Sequence, residues 1–260
     1  FFRLHPPADG ARVLDIGSGW GQVALPLAQS CFVCALEPTP ERLQFVQAAA
    51  WQERLSERMW FVQADLLETE FEPVFDLACC IGVLEWVPKF APDLEPLEAQ
   101  RAFLRHARSA LKPSGSLVIG IENRLGLKYL LGAPDDHLAR PGVGTYDLDL
   151  ASRKWRDATG QRLPAATYTR AEYATLLRET GFGEIRFWCS FPDYKLPEQI
   201  VPWGPEADRF VDAYPLLEHD GIRGDPLAFQ EELRSHYRTL AQLGIASDFA
   251  PSFFISASCR

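Results

Sequence analysis

One segment, residues 13–21, constrains the fold of this chain more than any other, because an apolar run leads there into three closely spaced glycines. The apolar residues predict a strand at Arg12–Ile16, and the amphipathic stretch beyond the glycines predicts a helix over roughly residues 22–29. The glycines let the backbone reverse tightly between the two elements, and they let a ligand approach without interference from a Cβ. A strand, a glycine-rich turn and a helix in this order predict the first unit of a parallel α/β sheet.

The same alternation of apolar runs and amphipathic stretches continues to residue 122, which is the pattern of successive βαβ units. Two longer irregular stretches then follow the fifth and the sixth strand. We therefore expect a doubly wound, Rossmann-like α/β fold with a seven-stranded, mostly parallel sheet and insertions after strands five and six. The expected strands are residues 12–16, 32–37, 60–63, 75–81, 116–122, 184–190 and 251–256.

Capping residues mark the starts of the longer helices. Thr39-Pro40 predicts the start of the second helix, because proline is favoured at the first helical position. Thr169 and Glu172 have the spacing of a capping box for a later helix. Asp225-Pro226 predicts a further helix inside the second insertion.

The length of 260 residues suits one large α/β domain. We expect residues 1–260 to form a single domain, in which residues 11–122 bind a cofactor and the stretches 123–165 and 191–248 lie on the acceptor side. Ligands bind beyond the carboxyl ends of the strands in such sheets, and insertions that leave those ends would cover the pocket. The chain begins at Phe1, almost directly before a strand, which is typical of a domain cut from a longer polypeptide.

A net charge of −9, without a run of five or more Lys and Arg, argues against a nucleic-acid partner. The sequence has no stretch of about 18 apolar residues and no signal-peptide pattern. We therefore expect a cytoplasmic protein without a membrane span, which would reach the inner membrane only through partners. The six cysteines lack a metal-binding spacing, and we expect them to be small buried hydrophobic residues in a reducing compartment.

The glycine segment has the features of a nucleotide-binding turn. Gly17, Gly19 and Gly21 free the backbone for close approach, and the next helix offers free N–H groups and the positive end of its dipole to a carboxylate. Asp15, at the end of the strand, can accept a hydrogen bond from a ligand ammonium group or support the turn. A dinucleotide enzyme would have glycine at the sixth position of this pattern, where the chain has Gln22. The turn therefore argues against NAD.

Two further carboxylates follow the next two strands. Glu37 ends the second strand, where an acidic residue can accept hydrogen bonds from both hydroxyls of a ribose. Asp65 follows the third strand, where a carboxylate can accept from an adenine amino group. Each carboxylate alone is explained as a solvated strand end or a helix cap. All three carboxylates at the correct spacing predict a site for an adenosyl compound.

Residues 11–122 resemble the core of class I S-adenosylmethionine-dependent methyltransferases. The resemblance implies S-adenosyl-L-methionine as the cofactor, with the glycine turn at its methionine moiety, Glu37 at the ribose and Asp65 at the adenine. We add Leu66 and Ile81 to the expected cofactor-binding set. The matching stretches are residues 13–21, 35–37, 62–65, 75–85 and 111–117.

Polar loops leave the fifth and the sixth strand beside the expected methyl group. Residues 119–137 concentrate charged, amide and aromatic side chains, and residues 191–197 add a second polar cluster. Both stretches resemble a bacterial methyltransferase group linked with cell-surface polysaccharide synthesis. That resemblance implies O-methylation of a sugar or glycan terminus, with glycosyltransferase domains or proteins of the same pathway as partners. Polar loops also suit a carbohydrate or a phosphorylated sugar better than an apolar quinone or lipid.

Methyl transfer to a hydroxyl requires alignment of the nucleophile and removal of its proton. His137 is the first candidate for the base because its ordinary pKa lies near neutrality, although a structural loop histidine explains it equally well. Glu122 is the alternative base, unless it pairs with Arg124. Many family members have histidine where this chain has Trp86; we expect Trp86 to fill core and carry no base over to it. The other candidate acceptor contacts are Asn123, Arg124, Lys128, Tyr129, Asp193, Tyr194 and Lys195.

The residues around position 137 show no recognisable divalent-metal pattern, and we expect no metal. Three other functions stay open. A methyltransferase for a small molecule or quinone would have an apolar acceptor pocket under residues 123–165. A scaffold domain that has lost catalysis would not need the glycines and carboxylates of the cofactor site. An oxidoreductase is disfavoured by Gln22.

Overall fold

The computed structural model describes residues 4–213 and 226–259, which form one eight-stranded sheet with helices on both faces. The strands are β1 (Arg12–Ile16), β2 (Phe32–Leu36), β3 (Met59–Val62), β4 (Phe75–Ile81), β5 (Leu111–Glu122), β6 (Phe182–Phe191), β7 (Gln199–Pro202) and β8 (Ser252–Cys259). The helices are α1 (Ala24–Leu27), α2 (Pro40–Gln52), α3 (Val87–Phe90), α4 (Pro96–Ala110), α5 (Leu127–Leu130), α6 (Leu148–Thr159), α7 (Arg170–Glu179), α8 (Pro205–Ala213) and α9 (Pro226–Gln242). The order of strands across the sheet is β3-β2-β1-β4-β5-β8-β6-β7.

Strands β1 to β5 pair in parallel, as the βαβ pattern predicts. β8 pairs antiparallel with both β5 and β6, and β7 pairs antiparallel with β6. Strands β1 to β6 therefore share one direction, and the sheet is mostly parallel. The predicted count of seven strands is wrong, because it lacks the edge strand β7. That strand has only Ile200 and Val201 as β-branched residues and ends in a proline, so its sequence carries little strand signal.

The bounds of β1 and β4 are those that their apolar runs predict. β5 begins at Leu111 instead of residue 116, and a register shift against β4 between Phe75 and Leu77 absorbs the extra residues. α1 is shorter than the predicted helix over residues 22–29. α1 contains Pro26, which has no N–H. A helix that began at residue 22 would need this N–H to donate to the carbonyl oxygen of Gln22.

The capping box of α7 is confirmed in both directions: Thr169 accepts from the amide of Glu172, and the carboxylate of Glu172 accepts from the amide of Thr169. α2 begins at Pro40, as predicted. The predicted start of the last helix includes Asp225, which lies outside the described residues; α9 begins at Pro226.

Apolar side chains alternate between the two faces of the sheet. In β4, Ala78 and Cys80 pack into a large cluster with α4 and α7, whereas Leu77 and Cys79 pack into a smaller cluster with α1 and α2. A central parallel strand requires apolar cover on both faces, which a doubly wound arrangement supplies. All six cysteines are buried, free thiols, so the expectation that they act as small hydrophobic residues is confirmed.

The carboxyl ends of β1, β2, β4 and β5 lie at one edge of the sheet. Asp15, Glu37, Ile81 and Glu122 lie at these ends. Ligands of doubly wound sheets bind at this edge. Across residues 4–213 and 226–259, no helix combines the length and the apolar character needed to cross a bilayer.

Candidate active site

The turn after β1 is held by hydrogen bonds to the end of β2. The amides of Gly17 and Ser18 both donate to the carbonyl oxygen of Leu36, at 2.8 and 3.1 Å. Gly17 has a φ of +67°, and a Cβ added there would lie 2.5 Å from Cγ2 of Val83. Glycine is therefore required at this position both by the left-handed backbone and by the close approach of the segment after β4.

Gly21 serves packing rather than the approach of a ligand. Its φ is +84°, and an added Cβ would lie 2.9 Å from Cδ1 of Leu25 and 3.3 Å from Cγ1 of Val46. The third glycine of the turn thus lets α1 pack closely against α2. Gly21 lines neither of the two clefts described below.

Glu37 connects the end of β2 to the glycine turn. The residue is buried; its Oε2 accepts from the amide of Gly19 at 2.9 Å, and its Oε1 accepts from the amide of Thr39 at 3.0 Å. Arg42 lies 3.8 Å from Oε1. Each carboxylate oxygen can accept more than one hydrogen bond, so the fixed carboxylate keeps acceptor capacity toward a ligand.

Asp15 is a buried carboxylate with an unsatisfied oxygen. The residue is 2% exposed, and its Oδ2 accepts no hydrogen bond from the described part of the chain. Burial raises the pKa of Asp15 to about 7, with a smaller contribution from the charge of Glu37. A buried carboxylate oxygen without a partner is costly, and it suits a cationic group of a ligand.

A cleft of about 570 Å³ lies over the ends of β1 and β2. Asp65 lies on its wall as the N-cap of the single-turn helix Leu66–Glu68, with its Oδ1 accepting from the amide of Leu67 at 2.9 Å. The residues that line this first cleft include Gly17, Glu37, Arg42, Asp65, Leu66, Gly82, Val83, Trp86 and Phe103.

A second cleft of about 440 Å³ adjoins the first. The two clefts share Gly17, Arg42, Gly82 and Trp86, so a ligand in one would meet a ligand in the other at this junction. The wall of the second cleft combines charged and polar side chains with the apolar side chains of Trp20 and Val23. Its lining includes Asp15, Ser18, Gly19, Gln22, Ile81, Asp136, His137, Tyr194 and Lys195.

Glu85, Glu122 and His137 form a buried cluster behind the second cleft, and of the three only His137 belongs to the lining of that cleft. Glu85 lies on the single-turn helix Leu84–Trp86 after β4 and is fully buried, and Glu122 ends β5 with 2% exposure. The Nε2 atom of His137 lies 3.4 Å from Oε1 of Glu85 and 3.4 Å from Oε2 of Glu122. The two residues that the sequence offers as alternative bases therefore lie side by side.

The surroundings of His137 and Glu122 change how each titrates. Burial lowers the pKa of His137, but hydrogen bonds to Asp135 and Glu85 and the charge of Glu122 outweigh burial and raise this pKa far above its ordinary value. Burial, together with the charge of Glu85, raises the pKa of Glu122. The ordinary pKa of histidine, which made His137 the first candidate for the base, therefore does not apply here, because three carboxylates surround the imidazole.

The loop after β6 contacts this cluster through two residues. Tyr194 donates its hydroxyl to Oε1 of Glu85 at 3.1 Å. Lys195 donates to Oε1 of Glu122 at 2.6 Å and to Oδ2 of Asp136 at 3.2 Å, so Glu122 pairs with lysine and not with an arginine of its own loop. Both Tyr194 and Lys195 line the second cleft, where the sequence predicts acceptor contacts.

Two small features position the ring of Tyr194. A Cβ added to Gly82 would lie 2.9 Å from the Tyr194 hydroxyl, and a Cβ added to Gly120 would lie 2.9 Å from its Cδ2. The side chain of Asp193 caps the turn that follows, with Oδ1 accepting from the amides of Lys195 and Leu196 at 2.6 and 3.0 Å. Asp193 therefore stabilises the conformation of the loop that carries Tyr194 and Lys195.

Lys128 and Tyr129 lie behind the wall of the second cleft. Both are buried; Tyr129 donates its hydroxyl to Oδ2 of Asp136 at 3.1 Å, and Nζ of Lys128 lies 3.8 Å from the same oxygen. Burial raises the pKa of Asp136, but Lys128 and Lys195 outweigh it and keep this pKa below its ordinary value. Both residues thus hold an ionised Asp136 in place, and direct acceptor contact stays a prediction for them.

Asn123 and Arg124 are engaged by the scaffold. The fully buried Asn123 donates its side-chain amide to two carbonyl oxygens just before β8, each at 2.8 Å. Arg124 forms a two-pronged pair with Glu172 of the capping box, at 2.8 and 3.1 Å. The structure does not bring either residue to the lining of the two clefts.

Trp86 lies at the junction of the two clefts and is half-buried, and it also packs against a small apolar cluster that includes Leu138 and Ala151, so the expectation that it fills core is confirmed only in part. Its ring makes an edge-to-face contact with the ring of His137, with centroids 5.0 Å apart. On the other side, Nζ of Lys89 lies 5.6 Å from the centroid of the indole ring. Trp86 thus occupies a position between the two candidate ligand sites.

Sequence reasoning missed Glu85, Asp135 and Asp136 as site residues. Glu85 enters the sequence analysis only as part of a family motif, and nothing in its local sequence indicates that it meets Glu122. The run Asp135-Asp136-His137 is a usable signal, because three adjacent titratable residues in a loop often serve a binding site.

Residues 14–119 match a family model described as a methyltransferase domain. Curated proteins similar to this chain include a ubiquinone biosynthesis O-methyltransferase of Rickettsia conorii, 26% identical over 133 residues that cover 51% of this chain and 42% of that protein. Another is the ubiquinone biosynthesis O-methyltransferase of Xanthomonas campestris pv. campestris, 29% identical over 123 residues, or 47% of each chain. The chain thus spans less than half the length of these curated relatives.

Solved methyltransferase structures share the fold over nearly the whole chain. Phosphoethanolamine N-methyltransferase 2 of Haemonchus contortus, in complex with S-adenosyl-L-methionine, superposes with a TM-score of 0.55 at 18% identity, covering 99% of this chain and 50% of that one. An S-adenosylmethionine-dependent methyltransferase of Thermotoga maritima, described as a possible histamine N-methyltransferase, gives a TM-score of 0.52 at 15% identity, with coverages of 99% and 86%. At these identities the likeness concerns the fold alone.

The site and the domain match agree on one ligand. The unsatisfied oxygen of Asp15 fits an ammonium group, and the acidic Glu37 and Asp65 fit an adenosine. Residues 14–119 match a methyltransferase domain, the chain has the fold of solved S-adenosylmethionine-dependent methyltransferases, and the residues of the site fit S-adenosylmethionine as the cofactor.

Proposed function

We propose that this chain is a methyltransferase that methylates a hydroxyl group of a polar small molecule bound in the second cleft. The observation that carries this proposal is the junction of the two clefts at Gly17 and Gly82, with charged side chains on the acceptor side. An acceptor in the second cleft would lie directly against a cofactor in the first.

We assign the cofactor contacts to residues of the first cleft and to Asp15, which lines the adjoining part of the second cleft. Glu37 would accept from the ribose hydroxyls, Asp65 from the adenine amino group, and Asp15 from the ammonium group of the methionine moiety. The free acceptor capacity of Glu37 and the orphaned oxygen of Asp15 support these roles. Leu66 would contact the cofactor from the wall of the first cleft.

When bound, S-adenosylmethionine supplies a methyl carbon on a sulfonium: the acceptor O–C bond forms, the C–S bond breaks with its electron pair left on sulfur, and the hydroxyl proton must be removed. Glu122, which lies behind the lining of the second cleft and 3.4 Å from Nε2 of His137, is the residue we propose to accept that proton, because burial beside Glu85 makes its carboxylate more basic than an exposed one. His137, held as a cation between the two glutamates, would orient Glu122 and hydrogen-bond the acceptor.

The acceptor class follows from the lining of the second cleft. The curated relatives are named as ubiquinone O-methyltransferases, which favours a small molecule over a polysaccharide. A quinone would nevertheless require an apolar pocket, and Asp136, His137 and Lys195 make this wall charged. We therefore propose a polar small molecule; a sugar or nucleotide sugar belongs to this class, and nothing in the comparisons supports a link to polysaccharide synthesis.

Methyl transfer from radiolabelled cofactor to a panel of polar small molecules, nucleotide sugars, glycan termini and a quinol tests this proposal. With an accepted substrate in hand, Glu122→Gln and His137→Ala should lower turnover by about 10²–10⁴-fold, the usual contribution of a proton-transferring group. Affinity for S-adenosylhomocysteine should stay within about twofold in both variants, since neither residue lies in the first cleft. His236→Ala, on the exposed face of α9, is the matched control.

Two results would contradict the proposal. Transfer only to the quinol would mean that the charged wall is not the acceptor site. Failure of the wild-type chain to bind S-adenosylhomocysteine would favour a scaffold domain that uses the fold without its chemistry.

A further inference from the structure

The distances between His137 and the two glutamates of the buried cluster are longer than those of most hydrogen bonds. Nε2 of His137 lies 3.4 Å from one oxygen of Glu85 and from one oxygen of Glu122. Nitrogen–oxygen hydrogen bonds in proteins are mostly about 2.7–3.2 Å long. By contrast, two ligands held about 2.1 Å from a tetrahedral ion are separated by about 3.4 Å. The ligand atoms of all three residues lie within 4.8 Å of one another.

Two carboxylate oxygens in the cluster lack partners. Oε2 of Glu85 and Oε2 of Glu122 are buried and accept no hydrogen bond from residues 4–213 and 226–259. The residues themselves are fully buried and 2% exposed. Desolvated carboxylate oxygens cost free energy unless a donor or a cation satisfies them. Oε2 of Glu122 is the oxygen that lies 3.4 Å from Nε2 of His137, whereas Glu85 faces this nitrogen through its other oxygen, Oε1.

Asp135 supports the imidazole from its other side. Nδ1 of His137 lies 3.7 Å from Oδ1 of Asp135, and that oxygen is itself fixed by the amides of His137 and Leu138, both at 2.9 Å. A carboxylate behind the distal nitrogen is the usual support of a metal-ligating histidine, because it fixes the ring and its tautomer. Nε2, which faces the two glutamates, is then the free ligand atom.

The carboxylates in and around the cluster outnumber the lysines that contact them, which favours a bound cation. Glu85, Glu122, Asp135 and Asp136 carry four negative charges, and Lys128 and Lys195 return two positive charges. The carboxylates of this region therefore outnumber its lysines by two. A divalent ion would take the place of the proton on His137 and balance this excess.

We propose that Glu85, Glu122 and His137 bind a divalent transition-metal ion of the zinc type, with an open coordination position toward the second cleft. Imidazole nitrogen favours such an ion over Mg²⁺ or Ca²⁺, which prefer oxygen ligands alone. Three protein ligands with one position left open is the arrangement of catalytic rather than structural sites.

The role of this ion rests on the proposed function, because it concerns the acceptor. An acceptor hydroxyl bound at the open position would be held beside the junction of the clefts, and the ion would lower the pKa of that hydroxyl. With the ion bound, Glu122 and His137 would act as ligands in place of the base and cation roles assigned to them above without an ion, and the hydroxyl proton would leave to water in the open cleft. An acceptor with a second oxygen close to its reacting hydroxyl would be favoured, since both oxygens could reach the ion.

Titration of the chelator-treated chain with Co²⁺ tests the site without cofactor, acceptor or turnover. Visible absorption reports Co²⁺ bound by nitrogen and oxygen ligands, and elemental analysis gives the number of Zn²⁺ ions retained per chain. We expect one tight ion per chain, with Zn²⁺ displacing Co²⁺. Glu85→Gln, Glu122→Gln and His137→Gln should each weaken Co²⁺ binding at least about tenfold, and Asp135→Asn should weaken it by about 10–100-fold.

The exposed pair Glu232 and His236 on α9, with 3.8 Å between Oε1 and Nε2, is the matched control for adventitious binding. Glu232→Gln and His236→Ala should leave the tight site unchanged. Binding of S-adenosylhomocysteine by each variant verifies that it is folded.

Absence of a Co²⁺ spectrum from the wild-type chain would overturn the proposal without reference to any variant. Equal Co²⁺ affinity in the wild type and in folded Glu85→Gln and His137→Gln would overturn it as well. Neither result would contradict the methyltransferase proposal, which is tested by cofactor binding and methyl transfer.

Discussion

The Oε2 atom of Glu37 accepts a hydrogen bond from the amide of Gly19 at 2.9 Å. One carboxylate therefore both fixes the glycine turn after β1 and lines the cleft where we expect the ribose. Its loss should affect the cofactor site twice, through the missing acceptor and through a looser turn.

Glu37→Ala should weaken binding of S-adenosylhomocysteine by about 1–3 kcal/mol, because the ribose hydroxyls would lose their buried partner. Isothermal titration calorimetry measures this directly. Glu41→Ala, at an exposed position in the first turn of α2, should bind as the wild type does. Unchanged affinity in Glu37→Ala would mean that the ribose lies elsewhere.

Affinity for S-adenosylhomocysteine should depend on pH through Asp15. The pKa of this carboxyl in the free protein is about 7, and only the ionised form pairs with an ammonium group. Below that pKa the affinity should fall by up to about tenfold for each pH unit, and above it the affinity should level off. Calorimetry between about pH 5.5 and pH 8 gives the profile. Asp15→Asn should flatten it; a slope that persists in Asp15→Asn would assign the titration to another group.

The same carboxyl should lower the stability of the ligand-free protein at high pH. Folding raises the pKa of Asp15, so its contribution to stability is present below its unfolded pKa and is lost as the pH rises through about 7. Asp15→Asn should therefore raise the Tm of the ligand-free chain at about pH 8, by a free energy of up to about 4 kcal/mol, and have little effect near pH 4. Thermal unfolding followed by circular dichroism measures both. An equal increase in Tm at the two pH values would mean that the raised pKa does not belong to Asp15.

Gly17→Ala should destabilise the chain more than Gly10→Ala, although both residues have positive φ. An added Cβ at Gly10 meets nothing within 4 Å, so only the cost of the left-handed backbone applies, about 1–2 kcal/mol. At Gly17 the collision with Val83 adds to it, for a total of about 2–5 kcal/mol. Urea unfolding of the two variants gives the comparison. An equal loss of unfolding free energy in the two variants would mean that the Val83 side chain can move away from the added Cβ without a loss of stability.

Asn123→Ala should lower the free energy of unfolding by about 2–4 kcal/mol, because two buried carbonyl oxygens and the amide of Leu125 would lose their partner. Affinity for S-adenosylhomocysteine should not change. Urea unfolding and calorimetry separate the two effects. A stable variant that has lost methyl transfer would instead support the contact with the acceptor that the sequence suggests.

The cofactor half of the site could be predicted from sequence because each of its parts is local. β1 and β4 are short apolar runs with clear ends, and Asp15 and Glu37 lie at strand ends whose positions follow from those runs. Parallel strands then bring these ends to the same edge of the sheet. No contact between distant segments has to be known.

The acceptor half could not be predicted in the same way, because its properties depend on contacts between residues that are far apart in the sequence. Glu85, Glu122 and His137 come from three separate elements, and only the sheet order brings them together. The pKa of His137 is raised by carboxylates on different elements, so its ordinary value was a poor guide. For the same reason the sequence left open a pair between Arg124 and Glu122, whereas in the structure Arg124 pairs with Glu172.

The position of β8 sets the order in which the sheet can be completed. Of the described strands this one is the last along the chain, yet it lies between β5 and β6 and is the strand through which the hairpin of β6 and β7 pairs with the parallel part of the sheet. During synthesis β1 to β5 emerge before β8, and until β8 has emerged, β6 and the loop that carries Tyr194 and Lys195 lack the strand that joins them to β5. A ribosome-bound intermediate should therefore acquire the nucleotide half of the site before the acceptor half.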